Sequence, residues 1–168
     1  MNRTIKWIVV SLTIATLISC TSTTDNKEAN GELGNSKAMS QNRMVKEWWG
    51  SKWETISKAD MVNVYDVTLN ETDPGIQFNL AEIKSLNPQQ IETLNTLLSL
   101  DSSYDFVRAK KTPFLPSFAF GYGEGKDMLV VYVMPEASML AYINEGSMKI
   151  EDYDSVSETI NALLVPEF

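Results

Sequence analysis

The 168-residue chain has no histidine and a single cysteine, Cys20. Without histidine there is no Ser-His-Asp or Cys-His pair and no HExxH zinc site, because each needs an imidazole as base or ligand. One cysteine makes neither an intramolecular disulfide nor a thiolate cluster. Lysine-activated serine chemistry is missing as well, since neither Ser-x-x-Lys nor Gly-x-Ser-x-Gly occurs in the sequence. Positive charge is in the minority, with 14 Lys and Arg against 22 Asp and Glu and a formal charge of −8. Arg108, Lys110 and Lys111 are too few to track a phosphate backbone, so nucleic acid is not an expected partner.

A long hydrophobic run occurs near the start, over residues 7–18, broken only by Ser11, Thr13 and Thr16. It is well short of the roughly 20 residues a spanning helix needs. Arg3 and Lys6 precede it, so residues 1–19 have the layout of a cleaved signal peptide.

Leu17-Ile18-Ser19-Cys20 resembles the lipobox of bacterial lipoproteins, with Ile18 where Ala or Ser is commoner. The resemblance covers the first 20 residues. It implies diacylglycerol attached to the Cys20 sulfur, cleavage just before it and often acylation, as by palmitate, of the new amino group. Two or three acyl chains act together as a stable membrane anchor. In the enterobacterial sorting pattern an Asp after the lipidated Cys retains the protein at the inner membrane. Thr21 stands there instead, which implies the outer membrane in a cell that has two.

Residues 20–43 form the lipidated cysteine and a polar stretch too poor in apolar side chains to offset its own ordering entropy, hence a flexible tether. Residues 44–168 then supply one domain of ordinary size. Val45, Trp48, Trp49, Trp53 and Ile56 share a helical face, with Gly50 weakening the helix. Residues 62–69 and 76–80 read as strands around a loop dense in turn residues. Asn87-Pro88-Gln89-Gln90 reads as a capped helix start, with Ile91, Leu94, Leu97 and Leu98 as the buried stripe.

Residues 118–122, 128–134, 138–143 and 148–150 read as four more strands, with 104–109 a further short candidate. The run Met128 to Met134 is apolar on both faces, the mark of a central strand. Ser155-Val156-Ser157-Glu158 has the capping-box pattern for a last helix carrying Val156, Ile160, Leu163 and Leu164. The expected class is α+β: an antiparallel meander sheet of five to six strands with two or three helices packed on one face.

The residues offer little chemistry. Gly121-Tyr122-Gly123-Glu124-Gly125 leads into a strand, so it reads as a hairpin turn and not as a phosphate loop, which opens a helix. Carboxylates gather as Glu71 with Asp73, Glu124 with Asp127, and Glu151, Asp152 and Asp154. Two held at the right separation can cleave a glycosidic bond, but solvated surface charge explains such groups more simply. The last cluster lacks the EF-hand pattern, so no metal is expected, and no motif calls for a cofactor.

Trp48, Trp49 and Trp53 read first as core and second as an exposed platform for a glycan or a protein, with the Arg108, Lys110 and Lys111 loop as a second contact patch. Asp154-Ser155-Val156 also resembles the Asp-Ser/Thr-apolar O-glycosylation sequence of Bacteroidota envelope proteins. The expectation is therefore a lipid-anchored envelope protein with a non-catalytic binding domain for a protein or an envelope glycan. A carboxylate-dependent polysaccharide hydrolase and an immunity lipoprotein against a secreted toxin stay open as alternatives.

Overall fold

Gly50 settles the first helical segment. In the computed structural model, which describes residues 42–72 and 75–165, Gly50 adopts φ 55° and ψ −126°. That conformation is open in practice only to glycine, and it breaks the expected single helix in two. Helix α1 (Arg43–Trp49) passes through a 3-10 turn, Gly50–Lys52, into α2 (Trp53–Lys58). The N-terminus of α1 is capped from far away, with the Asp101 carboxylate accepting from the Val45 N–H at 2.7 Å and the Met44 N–H at 3.4 Å. A carboxylate there satisfies orphan donors and suits the positive end of the helix.

Strands β1 (Val62–Thr72) and β2 (Gly75–Ser85) pair antiparallel, with a bulge between Val64 and Tyr65. Helix α3 (Pro88–Leu98) begins with the expected capping box: Asn87 Oδ1 accepts from the Gln90 N–H at 2.9 Å, and Gln90 Oε1 accepts from the Asn87 N–H at 3.0 Å. Strands β3 (Phe118–Tyr122), β4 (Leu129–Met134), β5 (Met139–Asn144) and β6 (Ser147–Asp152) follow as a meander, and the C-terminal helix is α4 (Ser157–Leu164). The sheet order is β2-β1-β3-β4-β5-β6 with every neighbouring pair antiparallel. The class is α+β, as the element pattern implied.

Two further expectations are corrected. Residues 104–109 form no strand, because the Asp105 carboxylate accepts from the N–H groups of Val107 and Arg108, both at 3.2 Å, and turns the chain out of extended geometry. The capping box at Ser155 does not form either. A 3-10 turn, Asp154–Val156, precedes α4, and the exposed Ser155 donates its hydroxyl to the Ser102 carbonyl at 2.8 Å. The tertiary bond has taken the side chain that the local signal assigned to the helix.

All four helices pack on one sheet face. Val45, Trp49, Ile56, Ile91, Leu94, Leu98, Ile160 and Leu164 meet Val62, Val64, Phe120, Tyr122, Val131, Val133, Leu140 and Tyr142 in one core. The opposite face carries a second, smaller apolar layer: Val67, Ala119, Val130 and Tyr132, flanked by Tyr65, Phe78, Leu80, Phe114, Met128 and Ile143. The Phe78 ring packs against Tyr132 at a 40° tilt with centroids 4.7 Å apart, although β2 lies three strands from β4. Three strand spacings amount to about 14 Å in a flat sheet, so the β1–β2 hairpin must curl over this face. Pairing of β3 with β1 ends at Asp66, which frees the rest of the hairpin to do so.

Gly121 makes room under that curl. A Cβ there would sit 2.6 Å from Tyr65 Cε2 and 2.8 Å from Met128 Sδ. Gly121→Ala is expected to destabilise the domain by about 1–3 kcal/mol through overpacking, measured by urea unfolding. A cost below about 0.5 kcal/mol would mean that the Tyr65 ring moves aside freely.

Candidate binding site

The three tryptophans have three different fates. Trp49, at 0% exposure, is core: its Nε1–H donates to the Leu98 carbonyl at 2.9 Å and its ring lies 4.7 Å from that of Tyr142. Tyr104 Oη donates to the same carbonyl at 2.8 Å, so the C-terminal end of α3 is closed by two aromatic donors. Trp48 is half-buried, edge-on to Trp49 and Tyr142 with centroids 4.4 and 5.0 Å away. Its carbonyl accepts from Tyr142 Oη and, at 3.4 Å, from Lys149 Nζ. Trp53, also half-buried, has the Lys46 ammonium 5.2 Å from its ring centroid and lines an open groove.

The basic loop divides in the same way. Arg108 and Lys111 are exposed, but Lys110 is turned inward and is not part of a contact patch. Its Nζ donates to the Ala137 carbonyl and to Asp154 Oδ1 at 2.7 Å, and it lies 3.9 Å from Asp152 Oδ1. Lys110 thus ties the residue 105–117 loop to the β4–β5 turn and to the end of β6. Burial holds the Asp152 carboxyl above its ordinary range while Lys110 pulls it back. Asp154, exposed and directly bonded, is lowered by the Lys110 hydrogen bond.

Of the expected carboxylate groups, only Asp152 and Asp154 are seen to meet among the described residues, and they do so at Lys110. Glu71 has no described side chain and Asp73 lies outside the described residues, as does Cys20; Glu124 and Asp127 are exposed on a turn. Glu151 pairs with Leu140 and Asp152 with Met139, so these neighbours point to opposite faces of β6. Among the described residues no three such groups come together to hold a metal ion.

Glu151 has the most perturbed carboxyl. Desolvation, with Asp152 and Asp105 adding repulsion, pushes it up to about 7 against the backbone hydrogen bond that lowers it. Between about pH 4.5 and 7 the folded protein keeps a proton that the unfolded chain releases. Stability from this group is therefore full below that window and is lost as pH rises through it. Glu151→Gln is expected to remove that slope and to raise stability at pH 8 by about 1 kcal/mol, allowing for its partial exposure. Urea titrations at pH 5 and pH 8 check this, and an unchanged pH difference would count against it.

A groove of about 690 Å³ lies between α2 and α3. Its walls include Trp53, Ser57, Asp60, Glu92, Asn95 and Thr96. A recess of about 230 Å³ beside it shares Lys58, Ala59 and Asp60.

Asn95 is the residue that pattern reading passed over. The buried stripe of α3 is Ile91, Leu94, Asn95 and Leu98, while Leu97 is only half-buried. Asn95 is 8% exposed, and its Nδ2 donates to the Ala59 carbonyl at 2.9 Å, which fixes the end of α2. Its buried Oδ1 has no hydrogen-bond partner among the described residues. The available signal was spacing: 91, 95 and 98 fall at i, i+4 and i+7, and a polar residue within such a stripe is the informative exception.

Asp60 and Glu92 are both exposed rim groups. Acid–base cleavage of a glycoside needs two carboxyls in unlike environments, one of them protected. The rim offers charge and hydrogen bonding without that asymmetry. No family model, curated protein or solved structure matches the chain.

Proposed function

We propose that the protein is a lipid-anchored component of the cell envelope whose α+β domain binds another envelope component, protein or glycan, without catalysing a reaction. The binding reading is carried by the groove between α2 and α3, whose volume falls in the usual range for ligand sites and whose lining combines an aromatic ring with a few polar groups. Attachment rests on the lipobox at Cys20 and the polar stretch behind it. No helix among the described residues is long and apolar enough to cross a membrane. Thr21 favours delivery to the outer membrane where two membranes exist.

Attachment is tested by Cys20→Ala. The native protein is expected in the membrane fraction, labelled by palmitate, and the variant in the soluble fraction or at the mobility of the unprocessed chain. An unchanged membrane fraction with unchanged mobility refutes lipidation. Binding is tested with full-length protein in detergent, immobilised and exposed to solubilised envelope material. Saturable retention that Thr96→Trp abolishes supports the groove; retention indifferent to that change removes it.

A further inference from the structure

We infer that the loop from Asp105 to Ser117 docks on an anionic lipid surface, that of the bilayer holding the anchor; this rests on the lipid attachment proposed above. The loop stands out in composition. The chain is acidic, yet no acidic residue occurs between Asp105 and Glu124, a span that contains Arg108, Lys110 and Lys111. Among the described residues Val107, at 89%, is the most exposed large apolar side chain, and Leu115 on the same loop is exposed as well.

These tips project from a loop that is held in place. Phe106 stacks on Tyr104 with centroids 5.2 Å apart and packs on the helical core, whereas Phe114 packs on the second apolar layer. Between them Lys110 is tied to Ala137 and Asp154, and the Leu115 N–H reaches the Met134 sulfur at 3.4 Å. With Phe106, Lys110 and Phe114 turned toward the protein, Val107, Arg108, Lys111 and Leu115 are left outside. Neither Arg108 nor Lys111 has an ion-pair partner among the described residues. Single apolar tips between free cations suit the boundary of acyl chains and anionic headgroups. A protein-binding patch instead gathers its apolar residues around a desolvated centre. Acidic groups elsewhere on the domain are screened beyond about 10 Å.

The anchored end of the domain lies beside this loop. The Met44 and Val45 N–H groups at the start of α1 are bonded to Asp101, and Trp48 lies 5.4 Å from Tyr104, the residue that leads into the loop. As a flexible polar linker, the chain from Cys20 to Asn42 spans about 25 Å r.m.s.. The anchor thereby holds the loop near the membrane at an effective concentration on the order of 1 mM. Arg108 and Lys111 each favour an anionic surface about fivefold, and burial of Val107 and Leu115 adds roughly thirtyfold. Together they make a contact of about 1 mM. A free domain would not stay bound, whereas a tethered one divides about evenly between docked and undocked states.

The test reconstitutes the full-length lipidated protein in vesicles of phosphatidylcholine alone or mixed in equal parts with phosphatidylglycerol. Lipidation consumes the sulfur of the single native cysteine, so Val107→Cys supplies one free thiol for an environment-sensitive NBD dye. Gln89→Cys is the control, exposed at the end of α3 remote from Leu98 and hence from Tyr104. On mixed vesicles about half of the dye at position 107 is expected to show the blue-shifted emission of a bilayer site. The ratio of docked to undocked domain is expected to fall at least about tenfold on phosphatidylcholine alone, or when Arg108→Gln and Lys111→Gln are added. The dye at position 89 is expected to stay aqueous throughout. An aqueous signal from position 107 on mixed vesicles overturns the inference, as does a shift indifferent to phosphatidylglycerol or to the double substitution, or one matched at position 89. A signal that stays aqueous on vesicles but shifts with solubilised envelope protein assigns the loop to a protein partner instead. The anchor is read separately. Native protein that reacts with maleimide at Cys20 and fails to float with vesicles overturns lipid attachment and docking together, whereas native protein that floats while position 107 stays aqueous overturns docking alone.

Discussion

Trp49→Ala is expected to cost about 4 kcal/mol of folding stability, near the top of the range for removing a large aromatic from a core. Three losses coincide at that position. The indole is fully buried, it packs against the rings of Trp48 and Tyr142, and its N–H closes the Leu98 carbonyl. Tyr104 still donates to that carbonyl, so the end of α3 is weakened without being orphaned. Domains of this size are stable by only about 5–15 kcal/mol, so the variant would sit close to the margin. Trp49→Phe, which keeps a ring and drops the hydrogen bond, is expected to cost about 1–2 kcal/mol. Trp53→Ala, at a half-buried groove wall, should cost about as little. Urea unfolding of the three variants decides the matter, and equal costs for Trp49→Ala and Trp53→Ala would contradict the division of the aromatic face into core and groove.

That division shows what the sequence could and could not convey. Local signals were legible wherever chemistry and geometry lie within one element. The alternation of Phe118, Phe120 and Tyr122, the double-sided apolar run of β4 and the capping box at Asn87 all specify what forms there. The tryptophans share a helical face on paper, yet a φ of 55° at Gly50 reorients Trp53 relative to Trp49. No periodicity argument contains that rotation. The second apolar layer was hidden for a similar reason. It depends on a hairpin that curls over three strands, and only a tertiary path brings Phe78 to Tyr132. At the groove the polar Asn95 hides among leucines, and its partner, the Ala59 carbonyl, is 36 residues away. The basic loop misled most. A Lys in a cluster of three reads as exposed charge, whereas Lys110 finds Asp154 across 44 residues of chain.

Because Lys110 is turned inward, Lys110→Met is expected to cost about 2–3 kcal/mol near neutral pH, more than an exposed ion pair could account for. The reason lies with Asp152. Its side chain is 5% exposed, and Lys110, 28% exposed, is the cation that offsets its burial. Removing one member of such a pair leaves a desolvated charge with no counterpart. The Ala137 carbonyl loses its donor at the same time, freeing the loop from the β4–β5 turn. Asp154 contributes little to the cost because it is exposed and can be solvated where it stands.

The pH dependence separates these parts. Without Lys110 the Asp152 carboxyl rises further above its ordinary value. The folded variant then holds a proton more tightly than the unfolded chain, and its stability falls as pH climbs through the raised value. The deficit relative to the native protein is therefore expected to be largest at pH 8 and smaller at pH 5. Adding Asp152→Asn to Lys110→Met removes the uncompensated charge, so the double variant should recover most of the loss at pH 8 and show no such slope. Asp154→Asn added instead should recover nothing. A double-mutant cycle of Lys110 and Asp152 by urea unfolding at both pH values measures the coupling directly. A pH-independent deficit would assign the role of Lys110 to the Ala137 hydrogen bond alone, and a coupling near zero at pH 8 would remove Asp152 from the account.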